Sequence, residues 1–281
     1  MTVESKELHM LDELVEPVNR LVHIPLAARI VRLLRPTAIT PNQVTGVSVL
    51  FGFAAGWAFS RGHLAGMVTG GLLLEISLIL DCVDGQLARA KKMDSDLGRL
   101  VDGVGGYLAN LAVVAGIAWG FPQTRWTLAA LTILTILRAI AYDYCKQAMT
   151  TLIQEGYDWA QAELEKVQRR LQDRPSLLMK TYRSYLQLQR TLFHGNRDGE
   201  IPSSTRFRWD APQRLRFYET NRPVLGLWKW NGPDLVFFLI TLSALLGQLE
   251  TLLLPITCLV ALQLALTLWW HHSRIRYETS S

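Results

Sequence analysis

The chain has 281 residues, enough by length for one or two soluble domains, yet 49% of them are apolar and they fall in long blocks. Six such blocks leave too little polar sequence to cover them, which excludes a soluble globular protein. The formal charge of +5 lies beside these blocks and not in a separate basic tract, which favours a membrane face over nucleic acid.

The first segment, residues 1–39, opens "MTVESKELHM", without the basic-then-apolar layout of a signal peptide. From Leu8 to Arg35 apolar and charged positions mix, with Ile30, Val31, Leu33 and Leu34 between Arg29, Arg32 and Arg35. This predicts a helix in the headgroup layer with arginines reaching phosphates, or an amphipathic helix packed on the protein.

Residues 40–146 are expected to hold four membrane-spanning helices. Thr40 as N-cap, Pro41 in the first turn and Gln43 three residues after the cap form a capping-box start. The run Gln43–Ser60 follows, then Leu64–Leu80, Leu100–Gly120 and Trp126–Tyr144. Each approaches the ~20 residues that cross a hydrocarbon core as a helix. The free N–H groups at the Thr40 end attract anions, so this start is also a candidate contact for a phosphate-bearing ligand.

Residues 147–230 are a polar insertion. Ile153, Tyr157, Ala160, Leu164, Val167 and Leu171 recur at alternating steps of four and three, the seam of a helix on a partner helix. After "DRPS" a second helix is expected, with Leu178, Tyr182, Tyr185 and Leu192 on one side and an end near Gly195. The two make a cytoplasmic hairpin, folded onto the membrane domain or used in a homodimer. The Trp- and Arg-rich stretch "FRWDAPQRLRFYETNRPVLGLWKWNGP" is expected along the bilayer surface; no nucleic-acid module surrounds it. Residues 231–281 supply the last two runs, Leu235–Leu249 and Leu252–Trp270, and a tail. His271 and His272 read as interfacial residues without zinc spacing, and Cys82, Cys145 and Cys258 have no paired spacing.

The fold class is therefore an all-α integral membrane protein: six transmembrane helices, an N-terminal interfacial helix and a cytoplasmic helical insertion. Basic residues gather before the first run, between the second and third, between the fourth and fifth, and after the sixth. The positive-inside rule then puts both termini in the cytoplasm, in a multi-pass protein of a bacterial-type inner membrane.

The chemistry lies in "DCVDGQLARAKKMDSDLGRLVDGVGG", Asp81 to Gly106, at the junction of the second and third runs. Asp81 and Asp84 are three apart and share a helix face with Gly85 and Ala88. Asp102 lies one turn beyond Gly98 on the next helix, on the face that also carries Gly106. Charges at membrane depth are costly without a partner. Paired Arg89 or Lys92 would supply one; a divalent cation explains better why three acids converge among glycines. Hard oxygen ligands select Mg²⁺ or Mn²⁺, which bridges carboxylates to substrate phosphates.

These residues resemble the signature of the CDP-alcohol phosphatidyltransferase family, D-x2-D-G-x2-A-R-x8-G-x3-D-x3-D. Asp81, Asp84, Gly85, Ala88, Arg89, Gly98 and Asp102 fall on it without a gap. The resemblance extends to the six-run layout and the "TPNQVT" entry, and does not cover residues 147–230. It implies a phosphoryl transfer in which a hydroxyl acceptor attacks a CDP-linked lipid or alcohol and CMP leaves, as part of phospholipid biosynthesis. It further implies that Asp81, Asp84 and Asp102 hold the metal, Gly85 admits the nucleotide, and Arg89 contacts phosphate. Asn42, Thr45 and Ser95 are further nucleotide contacts on the same basis.

The pattern fails at its last position. The family's final aspartate, a metal ligand and general base, is Gly106 here. Another acid then takes the proton, with Asp143 in "RAIAYDY" the best placed in sequence; or the acceptor needs little deprotonation; or the chain is a paralogue that binds CDP-lipid or scaffolds partners without turnover. Arg138 either receives an acidic acceptor or pairs with Asp143. Asn110, one turn past Gly106, lines the pocket or bonds a neighbouring helix, and Glu75, off the aspartate face, is expected to pack or pair helices.

Overall fold

The computed structural model describes residues 15–93, 95–173, 176–193 and 208–275, and every regular element among them is helical. In chain order these are a π-helical turn Asn19–His23, then α1 (Ile24–Leu34), α2 (Pro41–Phe59), α3 (Leu64–Lys91), α4 (Asp96–Gly120) and α5 (Arg125–Glu155). There follow α6 (Trp159–Asp173), α7 (Leu177–Phe193), α8 (Ala211–Trp228), α9 (Asp234–Leu245) and α10 (Leu249–Arg274). They form two compact units, residues 16–135 with 233–261, and residues 136–232 with 262–281.

Among the described residues, four segments are long and apolar enough to cross a membrane: Leu64–Lys91, Asp102–Gly120, Pro122–Glu155 and Leu249–Arg274. Two of the six expected spans differ. Helix α2 has 19 residues, a sufficient length, but Asn42, Gln43, Thr45 and Ser48 dilute its apolar character. Helix α9 has only 12 residues and stops at Leu245, before Gly247 turns the chain at φ +68°. At ~1.5 Å per residue it covers roughly 18 Å, short of the ~30 Å hydrocarbon core.

In the first unit, α2 packs on α3 and α4 through small residues. A Cβ at Gly52 would sit 2.5 Å from the Ala109 Cβ; at Gly56 it would collide with the Ala112 carbonyl, and at Gly116 with the Gly56 carbonyl. Backbones this close leave no room for side chains, the packing that membrane helices use in place of a hydrophobic drive. Ser48 and Ser77 reinforce it, each hydroxyl donating to the other's carbonyl at 2.9 and 2.8 Å. Phe59, Leu74, Ile117, Leu131, Leu253 and Val260 belong to the buried core of this unit.

The entry to α2 is as its residues require. Gln43 N–H donates to Thr40 Oγ1 at 3.4 Å and Thr40 N–H to Gln43 Oε1 at 2.9 Å, closing the capping box. Lys91, in the last turn of α3, donates to the Thr37 and Ile39 carbonyls at 2.8 and 2.6 Å and so ties the preceding loop to that helix. Helix α1 lies against α3 with Ala27 and Val31 buried beside Val83 and Leu87. His23 Nε2 lies 3.2 Å from Glu75 Oε1, so Glu75 pairs the N-terminal segment to α3. That is the helix-pairing role expected of Glu75; the histidine partner was not legible in the sequence. Residues 1–14 of the N-terminal segment lie outside the described residues.

The second unit corrects the reading of the insertion. The seam from Ile153 to Leu171 is not one helix: α5 runs on to Glu155, and Gly156 at φ +74° breaks it before α6. The Asp158 carboxylate accepts from the Gln161 N–H at 3.2 Å at the start of α6. Ala160 and Val167 are buried as expected. On α7 the buried positions are Leu186, Gln189 and Phe193, whereas Tyr185 and Leu192 are exposed, so the inward face is rotated from the predicted one. Leu178 and the expected end near Gly195 fall outside the described side chains and residues. The Trp- and Arg-rich stretch includes a helix, α8, opened by an Asp210–Gln213 capping box and burying Phe217 and Trp228. His271 is also buried, not interfacial: its Nδ1 accepts from Trp228 Nε1–H at 3.1 Å and its Nε2 lies 2.7 Å from the Phe193 carbonyl.

Candidate active site

The site forms where α3 ends, α4 begins and α2 enters, all within the first unit. Helix α3 stops at Lys92, which takes the left-handed conformation at φ 56°. Met93 N–H reaches back to the Ala88 carbonyl at 2.9 Å, closing a Schellman-type end. Helix α4 then starts at its Ser95 cap, whose hydroxyl accepts from the Gly98 N–H at 3.0 Å. This turn returns the chain so that α4 presents Asp102 to the face of α3 carrying Asp81 and Asp84.

One oxygen from each of Asp81, Asp84 and Asp102 lies within 4.8 Å of the others. Asp84 is buried, Asp102 half-buried and Asp81 exposed, so the cluster is anchored at one end and open at the other. Thr45 on α2 fixes the buried member: its hydroxyl donates to Asp84 Oδ2 at 2.6 Å while also lying 3.2 Å from the Pro41 carbonyl. Thr45, an expected nucleotide contact, has its hydroxyl on a carboxylate of the cluster, which it holds in position. Hydrogen bonds behind metal-binding side chains typically change metal affinity by ~10–100-fold. Thr45→Val, close in shape, is expected to weaken Mn²⁺ binding by about that factor without loss of fold, as read by calorimetric titration beside a thermal melt.

The other predicted residues divide by unit. A Cβ at Gly98 would lie 3.3 Å from Asn42 Oδ1 and 2.9 Å from Ser95 Oγ, so Asn42 and Ser95 both border the start of α4. A Cβ at Gly85 would have only Arg89 Nη1 near it, at 3.7 Å, which leaves backbone open beside a guanidinium. A Cβ at Gly106 would face Asp81 Oδ1 at 3.9 Å. Position 106 therefore points at Asp81, and among the described residues other than its chain neighbours no other side chain reaches within 4 Å of that point. Arg138 and Asp143 belong to the second unit. Arg138 is fully buried, donating to the Trp230 carbonyl and to Gln263 Oε1 at 3.4 Å, while Asp143 is exposed.

A helical domain of membrane type, with carboxylates from adjoining helices meeting beside an open glycine and an arginine, is the class this geometry defines. Residues 38–169 match the family model of the CDP-alcohol phosphatidyltransferases. The chain is 31% identical, over 42% of its own length and 60% of the relative's, to an archaetidylinositol phosphate synthase of Pyrococcus horikoshii. It is 28% identical, over 47% of its length and 59% of the relative's, to a phosphatidylinositol phosphate synthase of Mycobacteroides abscessus. A bifunctional IPC transferase and DIPP synthase of Thermococcus kodakarensis is 36% identical over 34% of this chain and 22% of that protein. The chain thus spans about three fifths of the length of two of these relatives and about a fifth of the third.

Proposed function

We propose that this protein transfers a phosphatidyl-type group from a CDP-linked lipid to a hydroxyl acceptor, with release of CMP, in phospholipid biosynthesis. The observation that carries the reading is the convergence of Asp81, Asp84 and Asp102, three positions of the family signature, within 4.8 Å. Two oxygens bound to one Mg²⁺ or Mn²⁺ at ~2.1 Å lie no more than about 4.2 Å apart, so small side-chain rotations bring this donor set to binding distance. Such a cation supplies neutralisation of charge on the phosphoryl oxygens.

The chain's own residues do the rest by position, which is most of what phosphoryl transfer asks of a protein. Asp81, Asp84 and Asp102 would hold the metal, with Thr45 keeping Asp84 aimed. Gly85 leaves the backbone accessible to the nucleotide, Arg89 meets a phosphate oxygen, and Asn42 and Ser95 border the opening. We place the site at the cytoplasmic face of a bacterial-type inner membrane, on the distribution of basic residues. The names of the two relatives in phosphoinositide synthesis make a phosphorylated inositol the first acceptor to test.

The unfilled space at Gly106 favours a second reading, a paralogue that keeps the donor site and lacks turnover. Purified protein with Mg²⁺, CDP-diacylglycerol and inositol phosphate separates the two: CMP release is expected from the transferase. Metal-dependent donor binding without CMP, across a panel of hydroxyl acceptors, supports the paralogue. Absence of metal-dependent binding refutes both.

A further inference from the structure

We infer that the cytoplasmic hairpin carries an anion site of its own, for a small phosphate-bearing ligand, in the cleft between α6 and α7. It lies outside the signature stretch Asp81–Gly106 and stands whether or not the chain is a transferase. The cleft has a volume of about 770 Å³ and lies wholly within the second unit. Its α6 wall repeats at Gln161, Leu164, Gln168 and Gln172, the spacing of one helix face. A hairpin that only packs would place apolar side chains there; this one does so on the adjacent stripe, at Ala160 and Val167, and lines the cleft with amides and cations instead.

The cations are held as a binding surface. Arg183 Nη1 donates to Gln168 Oε1 at 3.0 Å, and Arg190 donates to Gln161 Oε1 and, at 3.4 Å, to Asp158 Oδ2. Both guanidinium groups are thus fixed from one side, yet Nε of each is buried without a hydrogen-bond partner among the described residues. A buried N–H of a charged group left unbonded is costly, and a small side-chain rotation that brings it to a ligand oxygen would relieve it. Arg183 has no carboxylate within ion-pair distance among the described residues. The acid in the lining, Glu165, is paired to Arg169 at 3.5 Å and accepts from the Gln161 amide. Arg183 and Arg190 are seven residues apart on α7, so their Cα atoms are separated by about 10 Å along the axis. That spacing suits an anion with more than one charged group, and the planar guanidinium fork matches phosphate oxygens.

The test uses the full chain in nanodiscs of zwitterionic lipid, titrated calorimetrically with inorganic pyrophosphate in EDTA, so that no divalent cation recruits the anion to the aspartates. One saturable site is expected. Arg183→Gln should weaken it by about tenfold or more, the scale of a hydrogen bond to a charged group. Gln187→Glu, which alters charge on the exposed cleft wall without changing side-chain shape, should do the same, and Asp81→Ala should leave it unchanged. Absence of saturable binding overturns the inference, as does binding unaltered in both hairpin variants or abolished by Arg89→Gln. Two sources of such a phosphate are distinguished by discs containing phosphatidic acid or, at equal charge, phosphatidylglycerol. A lipid phosphomonoester would compete with pyrophosphate in the former alone; a soluble ligand predicts the same affinity in both.

Discussion

Asp102→Asn is expected to lower CMP release by more than about 10²-fold and to remove the Mg²⁺ dependence of CDP-lipid binding. The substitution keeps the size of the side chain and deletes its charge, so helix packing at the start of α4 should be unchanged and a thermal melt should show this. The magnitude follows from position: bonds one shell behind a metal ligand already cost ~10–100-fold when lost, and Asp102 belongs to the carboxylate cluster itself. Asp84→Asn would confound this, since Thr45 donates to Asp84 Oδ2 and an amide nitrogen there would oppose that hydroxyl. Asp102 is the cleaner probe because its side-chain partner is Asp81, a member of the same cluster. Unaltered metal dependence in Asp102→Asn would remove the carboxylate cluster from the proposed function.

Gly106→Asp carries the second large effect, in the opposite direction. The new Cβ would lie 3.9 Å from Asp81 Oδ1, in ordinary van der Waals contact, so the substitution fits the backbone without displacing a neighbour. The added carboxylate would face the cluster, at the position where the family signature carries its final aspartate. General-base help is typically worth ~10²–10⁴-fold, and a gain of that size in CMP release identifies a site in which only the base is missing. A rate unchanged from the parent shows that another group already takes the proton. A fourth carboxylate also adds negative charge, so tighter Mn²⁺ binding by Gly106→Asp is expected in either case and checks that the side chain reaches the site.

The comparison of sequence with structure is most instructive where the two part. In the membrane-type helices, pattern and composition were sufficient for the capping box at Thr40 and for four long apolar helices, because caps and apolar runs are local properties. In the insertion, the heptad-like spacing continued across Gly156, and only the left-handed backbone there reveals that two helices share it. The inward face of α7 was misread because Tyr185 and Leu192 are as apolar as Leu186 and Phe193, and spacing cannot tell which side meets α6. His271 was assigned to the interface from its place at the end of a run; its burial depends on Trp228 and Phe193, 43 and 78 residues away.

The amino-acid sequence on its own determined the candidate chemistry: three aspartates at fixed intervals, a glycine and arginine beside them, and a glycine where a fourth acid was expected. Those intervals set which side chains share a helix face, and that is a property of the helical period alone. Only the tertiary structure decided that the two faces meet, that Thr45 from a third helix grips Asp84, and that position 106 opens toward Asp81. Each of those contacts joins residues separated by a turn or a whole helix. Their distances depend on how α2, α3 and α4 pack together, which no local pattern encodes.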